Sequence, residues 1–267
     1  MMQCDSPWVG LAMSERFTPR MFINWWAKEQ GQSVQEFGVS PIVVVSWQLS
    51  MIRAMADTVG AKIPKHWFYG ERHPLHTGRV EGRNVSFVYL PVGAPGTVMI
   101  MEEMIASGAQ AFIGLGYAGS LQENLPVGSI IIPTSCIIEE GTSKHYLDRT
   151  SGIAPSPKLV RILRESCEEA GLNPSLGPHW TTDEPYRETL DKITNYHNQG
   201  VLGVDMETSA MYTLGQVRNV DLCNLLVVSD ELWNKWDPAF GTNRLSEAAE
   251  KARKIVLRSV GKISFDH

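Results

Sequence analysis

Gly203-Val204-Asp205-Met206-Glu207-Thr208-Ser209-Ala210 is the stretch on which the reading of this chain turns. An apolar strand runs into a helix at Met206, which puts Glu207 in the first helical turn, its carboxylate at the mouth of a sheet. A carboxylate there can accept two hydrogen bonds from a vicinal diol such as a ribose, helped by the helix dipole. One helix and one strand later comes Val227-Val228-Ser229-Asp230, whose acid ends an apolar run on the same rim. Two acids at adjacent strand ends fit a sugar-binding group beside a proton-handling group. They fit equally a helix cap and the start of a turn.

Outward from this stretch, strands and helices alternate. Ile42 to Ser46 is a β-branched apolar run read as a buried strand, and Leu49 to Val59 follows with helical spacing. Val85 to Leu90 is a second strand. Ala94-Pro95-Gly96 opens a helix that Gly108 stops, and Ala111 to Leu115 is a third strand. Val127 to Ile138 is a long β segment in which Pro133 predicts a bend or a sheet edge. Helices are expected at about 156–170, 184–198, 206–217 and 245–260, with strands near 201–205 and 222–228. Several all-apolar strands among helices imply a largely parallel or mixed sheet covered on both faces. Residues 1–40 read as an N-terminal arm carrying the aromatics of Phe22, Trp25 and Trp26, and residues 41–267 as one domain without repeats or linkers.

Composition excludes several classes. At 267 residues, 43% hydrophobic and 20% charged, the chain reads as an ordinary globular protein. A net charge of −5 without a Lys/Arg cluster argues against nucleic acid as a partner. No apolar run approaches the roughly 18–20 residues of a membrane span, and none at the N-terminus has signal-peptide length. Cys4, Cys136, Cys167 and Cys223 are scattered without CxxC or metal spacing, so a reduced cytoplasmic protein without a metal or other cofactor is expected.

Gly114-Leu115-Gly116-Tyr117-Ala118-Gly119 spells G-x-G-x-x-G after a strand, the pattern of a dinucleotide-binding turn. That turn works only when a helix begins at the glycines and aims its amides at a pyrophosphate. Here Ser120 to Gly128 leads directly into another strand, so the reading is rejected. Gly116 still permits close backbone approach to a ligand at a strand end.

Six further motifs stand in order: Gly93-Ala94-Pro95-Gly96, Gly116-x-x-Gly119, Val127 to Pro133, Glu140-Gly141-Thr142-Ser143-x-His145-Tyr146, Trp180 to Thr189, and Val204 to Thr208 followed by Ser229-Asp230. With them the chain, over about residues 41–260, resembles the nucleoside phosphorylase superfamily in its uridine-phosphorylase-like branch. The resemblance implies an α/β fold, three-layer α/β/α with a mixed, partly barrel-like sheet, usually as a homo-oligomer (dimer, trimer or hexamer). It implies cleavage of the N-glycosidic bond of a nucleoside by phosphate or by water. Asp205, Met206 and Glu207 then match the ribose site, Glu207 taking the 2′- and 3′-hydroxyls. Asp230, with Ser229 before it, matches the acid that protonates a purine leaving group, and Arg244 is a candidate to support it electrostatically. Thr181, Thr182 and Asp183 fall in the wall of the base pocket.

The chain departs from that pattern where phosphate would bind. The phosphate-gripping turn after the first strand reads Trp47-Gln48-Leu49-Ser50, a second phosphate arginine is Gly114, and a contacting hydroxyl residue is Tyr117. Two cations are lost and two bulky aromatics, Trp47 and Tyr117, are added, which disfavours a buried dianion. The uracil-reading pair is also absent, its positions being Glu184 and Tyr186 ahead of Glu188-Thr189. No histidine precedes His66 to reach a ribose 5′-hydroxyl. The expectation is a nucleosidase-like enzyme favouring a purine-type base. The alternatives are a phosphorylase with a rebuilt phosphate site and a non-catalytic nucleoside-binding protein.

Overall fold

The computed structural model describes residues 15–148 and 150–265, so Cys4 lies outside the described residues. Thr18 caps α1 (Pro19–Glu29) by accepting the Met21 N–H, and Pro19 sits where no donor is needed. There follow β1 (Ile42–Ser46), α2 (Leu49–Thr58), β2 (Leu75–Val80), β3 (Arg83–Tyr89), α3 (Ala94–Ala106), β4 (Ala111–Ser120) and β5 (Ile130–Glu139). Next come β6 (Ser151–Ile153), α4 (Pro157–Glu169), β7 (Ser175–Thr182), α5 (Leu190–Asn198) and β8 (Gly203–Asp205). The chain closes with α6 (Thr208–Arg218), β9 (Asp221–Glu231), β10 (Asp237–Pro238) and α7 (Asn243–Lys262).

The strands form one mixed sheet. β4 pairs in parallel with β1 and β9 and antiparallel with β8, while β5 pairs in parallel with β7 and antiparallel with β9. Since β7 also pairs with β8, the five strands β9, β5, β7, β8 and β4 close into a ring, and β1, β3 and β2 extend it as an open wing. The barrel-like mixed sheet expected from the sequence is therefore present. On one face α2, α4 and α7 pack over Ile113, Leu115 and Leu225. On the other, α3 and α6 pack over Val43, Val45 and Phe112. The alternation of residues along β4 sends successive side chains into these two layers, giving the three-layer arrangement.

Several boundaries differ from the sequence expectation for identifiable reasons. β4 runs through all the glycines to Ser120 and is followed by β5 with no helix between, so the G-x-G-x-x-G pattern lies inside a strand. β5 is an interior strand, and Pro133 is accommodated by a register shift against β7 between Pro133 and Ser135. The helix expected over 184–198 is split: a short 3-10 turn spans Pro185–Arg187, and α5 begins only after Thr189, whose hydroxyl accepts the Lys192 N–H. In the N-terminal arm, Ile23 and Ala27 of α1 form a cluster with Phe37, joined by Phe22, Trp26 and Phe68, whereas Trp25 stays half exposed. No helix among the described residues is long and apolar enough to cross a membrane.

Candidate functional site

β4 separates the two acid-bearing segments. Gly119 pairs with Val204 of β8 on one side and with Asp230 of β9 on the other. The strand pairing therefore sets Asp205 and Asp230 at nearly the same level of the sheet. A register shift between Ala118 and Gly119 leaves Ser229 as the extra residue of a bulge just before Asp230.

On the β8 side the helix starts two residues later than expected. Glu207 is the N-cap of α6, with φ −137° and ψ −31°, and not a member of its first turn. The reason is Asp205: its carboxylate accepts the Thr208 N–H at 3.2 Å on each oxygen and also the Thr208 hydroxyl, taking over the capping role. Asp205 also accepts the Thr181 hydroxyl at 2.8 Å, and Thr181 in turn accepts the Ser209 N–H at 3.0 Å. His179 Nε2 stands 3.4 Å from Asp205, near enough for charge attraction but without hydrogen-bond geometry. Burial works against the charge on Asp205, but His179 and the Thr208 and Thr181 hydroxyls outweigh it and hold the carboxyl below the usual range. Asp205 and Thr181, both candidates for ligand contact, thus spend these bonds on the framework.

Freed from capping, Glu207 turns its carboxylate toward α3. Its Oε1 accepts the Gly93 N–H at 2.6 Å, a contact spanning 114 positions of sequence. Gly93 has φ +99°, a conformation that favours glycine, and so the Gly93-Ala94-Pro95-Gly96 motif aims an amide across the sheet mouth. Glu207 is buried, and burial, followed by the charge of Asp205, pushes its carboxyl up to about 8 despite the Gly93 and Met206 amides. A carboxyl with this much hydrogen-bonding capacity left over, held next to a half-buried Met206, is suited to a diol.

On the β9 side, Asp230 Oδ1 accepts the Ser229 hydroxyl at 2.7 Å and Oδ2 accepts the Trp236 indole N–H at 3.0 Å. Trp236 is drawn in by the two-residue β10, where Pro238 pairs with Asp230. Arg244 is exposed in the first turn of α7, two residues past the Thr242 cap, and makes no hydrogen bond or ion pair with Asp230. Asp183 is exposed and tied to the neighbouring turn, accepting the Gly141 N–H at 2.8 Å, while Thr182 is buried at the end of β7.

Trp47 and Tyr117 form no joint aromatic wall, because the sheet lies between them. The Trp47 ring lies over Gly116, where an added Cβ would sit 2.8 Å from it, and its N–H donates to Thr97 at 2.8 Å. Tyr117, one residue on, points to the opposite face and lines a hollow of about 400 Å³ with Ser50 and Arg253. At Gly114 an added Cβ would fall 2.2 Å from the buried Asn224 Oδ1, so that space is already filled. Two contributors are not marked as such in the sequence. Gly93 belongs to a family motif at a helix opening, and Glu188 follows the uracil-reading positions; Glu188 is half-buried, with its carboxyl pushed up to about 7 by burial and by the charge of Asp230. No local pattern marks either, since both act through partners remote in sequence.

A sequence profile described as the phosphorylase superfamily matches residues 48–261. A DeoD-type purine nucleoside phosphorylase of Caldanaerobacter subterraneus subsp. tengcongensis is 32% identical over 161 residues, 58% of this chain and 68% of that protein. One of Bacillus thuringiensis is 30% identical over 159 residues, 59% of this chain and 68% of that protein. Among solved structures, uridine phosphorylase from Vibrio fischeri superposes with a TM-score of 0.75 at 22% identity, covering 85% of this chain and 95% of that one. Purine nucleoside phosphorylase from Toxoplasma gondii in complex with immucillin-H also gives 0.75 at 22%, covering 84% and 91%.

Proposed function

The chain belongs to the phosphorylase superfamily, and from that premise we propose that it is an enzyme cleaving the N-glycosidic bond of a ribonucleoside, with a purine-type base favoured. The observation that carries this reading is the buried Glu207 carboxyl, released from helix capping by Asp205 and oriented by the Gly93 amide. A group in that position holds the ribose diol while charge develops at C1′, and carboxyl groups around Asp230 attend the departing base. The purine preference rests on the names of the sequence relatives and on the Ser229-Asp230 pair.

Water is the acceptor that the residues of the site support best. Trp47 covers Gly116, Asn224 fills the space at Gly114, and Tyr117 faces away, so the positions where the family resemblance implies phosphate contacts offer no cation. Arg79 is on β2 and donates to Asn84. One observation favours the second reading, phosphorolysis, which is the activity in the names of the relatives. Arg253, Ser50 and Tyr117 share a hollow at the start of α2 that could receive a phosphate. Chromatography of purine nucleosides in phosphate-free buffer separates the two. Hydrolysis predicts free base and free ribose at a rate that phosphate leaves unchanged. Base release only with phosphate, as ribose 1-phosphate, overturns the water reading.

A homo-oligomer is also proposed, supported by the exposed apolar side chains of Phe17, Met21 and Trp25 on or beside α1 and of Met99 on α3. Light scattering on the eluting protein should give a mass at least twice that of the chain. The buried free thiols of Cys136, Cys167 and Cys223 support a cytoplasmic setting.

A further inference from the structure

α3 and α6 each begin at one half of the Glu207 contact. Gly93 is the N-cap of α3 and Glu207 the N-cap of α6, and the Gly93 amide donates to the Glu207 carboxyl at 2.6 Å. The two helices pack together, Val98 and Met101 of α3 sharing a core cluster with Ala210, Met211 and Leu214 of α6. Toward their other ends they meet again. Arg218, the last residue of α6, holds Glu102 of α3 with both arms of its guanidinium: Nε donates to Oε2 at 2.8 Å and Nη2 to Oε1 at 2.7 Å. Glu102 is buried, and Arg218 Nη2 also donates to Glu15 at 3.3 Å.

The Glu140–Tyr146 motif joins the same two helices. Glu140 accepts the Ser209 hydroxyl of α6 at 2.9 Å. The Ser143 hydroxyl lies 2.9 Å from that of Thr213, one turn further along α6. Tyr146 then reaches α3, its hydroxyl donating to Glu102 Oε1 at 3.0 Å. Glu140, Ser143, Ser209 and Thr213 are all buried, so water does not compete for these bonds.

We propose that Arg218, Glu102 and Tyr146 are positioning residues for the ribose site: they bracket α3 against α6 and thereby hold the Gly93 amide on the Glu207 carboxyl. The inference rests on the reading of Glu207 as the diol ligand. Glu102 lies eight residues past the start of α3, about 12 Å along a stiff helix, so a slide or roll of α3 at Glu102 is carried to Gly93. The hydrogen bond there loses strength as it stretches or tilts, and a misplacement of about 1 Å from a remote substitution costs about 100-fold in rate. Two parallel N–H donors fix the orientation of Glu102 as well as its distance, which a lysine ammonium does not do.

The test measures Arg218→Ala, Arg218→Lys and Glu207→Gln beside the native enzyme on a purine ribonucleoside and on its 2′-deoxy counterpart, which offers Glu207 one hydroxyl fewer. Lysine keeps the charge at position 218 and loses the fork. Arg218→Ala is expected to lower kcat/KM on the ribonucleoside about 10–100-fold and on the deoxy compound less, so the ratio of the two activities falls. Arg218→Lys should move the ratio in the same direction, and its result stands as the test if Arg218→Ala does not fold. General damage to the fold would lower both activities alike. Equal falls on both substrates, or a native ratio in Arg218→Lys, overturn the bracket and leave the role of Glu207 standing. A ratio that Glu207→Gln leaves unchanged overturns the ribose assignment, and the bracket with it.

Discussion

Glu207→Gln is expected to abolish nucleoside cleavage while making the folded protein more stable at alkaline pH. The functional loss follows from the acceptor: the carboxyl keeps an oxygen free for the diol, whereas glutamine, its one oxygen taken by the Gly93 N–H, turns an NH2 donor toward it. Hydroxyls left without an acceptor cost about 1–3 kcal/mol each, so a fall in kcat/KM of about 10³-fold is expected. The stability gain follows from burial. The folded carboxyl is raised to about 8 from an ordinary value of 4.5. Between those two values the folded state holds a proton that the unfolded chain has released, so native stability declines as pH rises through the window and levels off above it. Glutamine has no charge to bury and can still accept the Gly93 N–H. The advantage of the variant should therefore be absent below about pH 4.5, grow across the window and reach about 5 kcal/mol above pH 8. Thermal melts of both proteins at pH 5, 7 and 9 measure it, with a difference of about 10 °C or more expected at pH 9. A constant difference across pH would remove the raised carboxyl, and normal turnover would remove the ribose assignment.

Gly114→Ala carries the second large effect. The new Cβ would lie 2.2 Å from Asn224 Oδ1, 2.8 Å from its Cγ and 3.3 Å from the Met211 methyl. Asn224 cannot swing aside freely, because it is fully buried and its Nδ2 donates to the Thr208 hydroxyl at 2.8 Å. That hydroxyl is itself bound to Asp205, so relief of the clash disturbs the group that leaves Glu207 free. Overpacking together with a strained or broken buried hydrogen bond predicts a loss of about 2–4 kcal/mol. Denaturant melts should show it as a lower midpoint with unchanged slope. An arginine at this position, where the family resemblance implies a phosphate ligand, should fail to fold with Asn224 in place. Unchanged stability of Gly114→Ala would mean that the space is open after all, and would return phosphorolysis to first place.

The strand at Ile42–Ser46, the short apolar run at Gly203–Asp205 and the long run ending at Asp230 were legible because β-branched, uninterrupted apolar segments mark buried strands. Rejection of the dinucleotide turn was equally legible, since the glycines lead into a strand with no helix to bind a pyrophosphate. The placement of Glu207 was legible only to within a residue or two. Whether it or Asp205 caps α6 is a competition between two carboxylates that spacing alone leaves open.

Periodicity in the amino-acid sequence by itself determined the alternation of strands and helices, and the order of short motifs determined the family and the two acid-bearing segments, because a side chain's periodicity and turn chemistry are local. Only the tertiary structure decided what each acid does. Closure of the ring through β4 and β9 aligned Asp230 with the β8 segment, and the turn at Gly93 engaged Glu207 across 114 positions. Leu232, two residues past Asp230, packs into the cluster of Trp180, Val204 and Ile193, while Arg244 in the first turn of α7 is exposed. Burial and the charge of a neighbour set the protonation of a carboxyl, and both are properties of the packed chain.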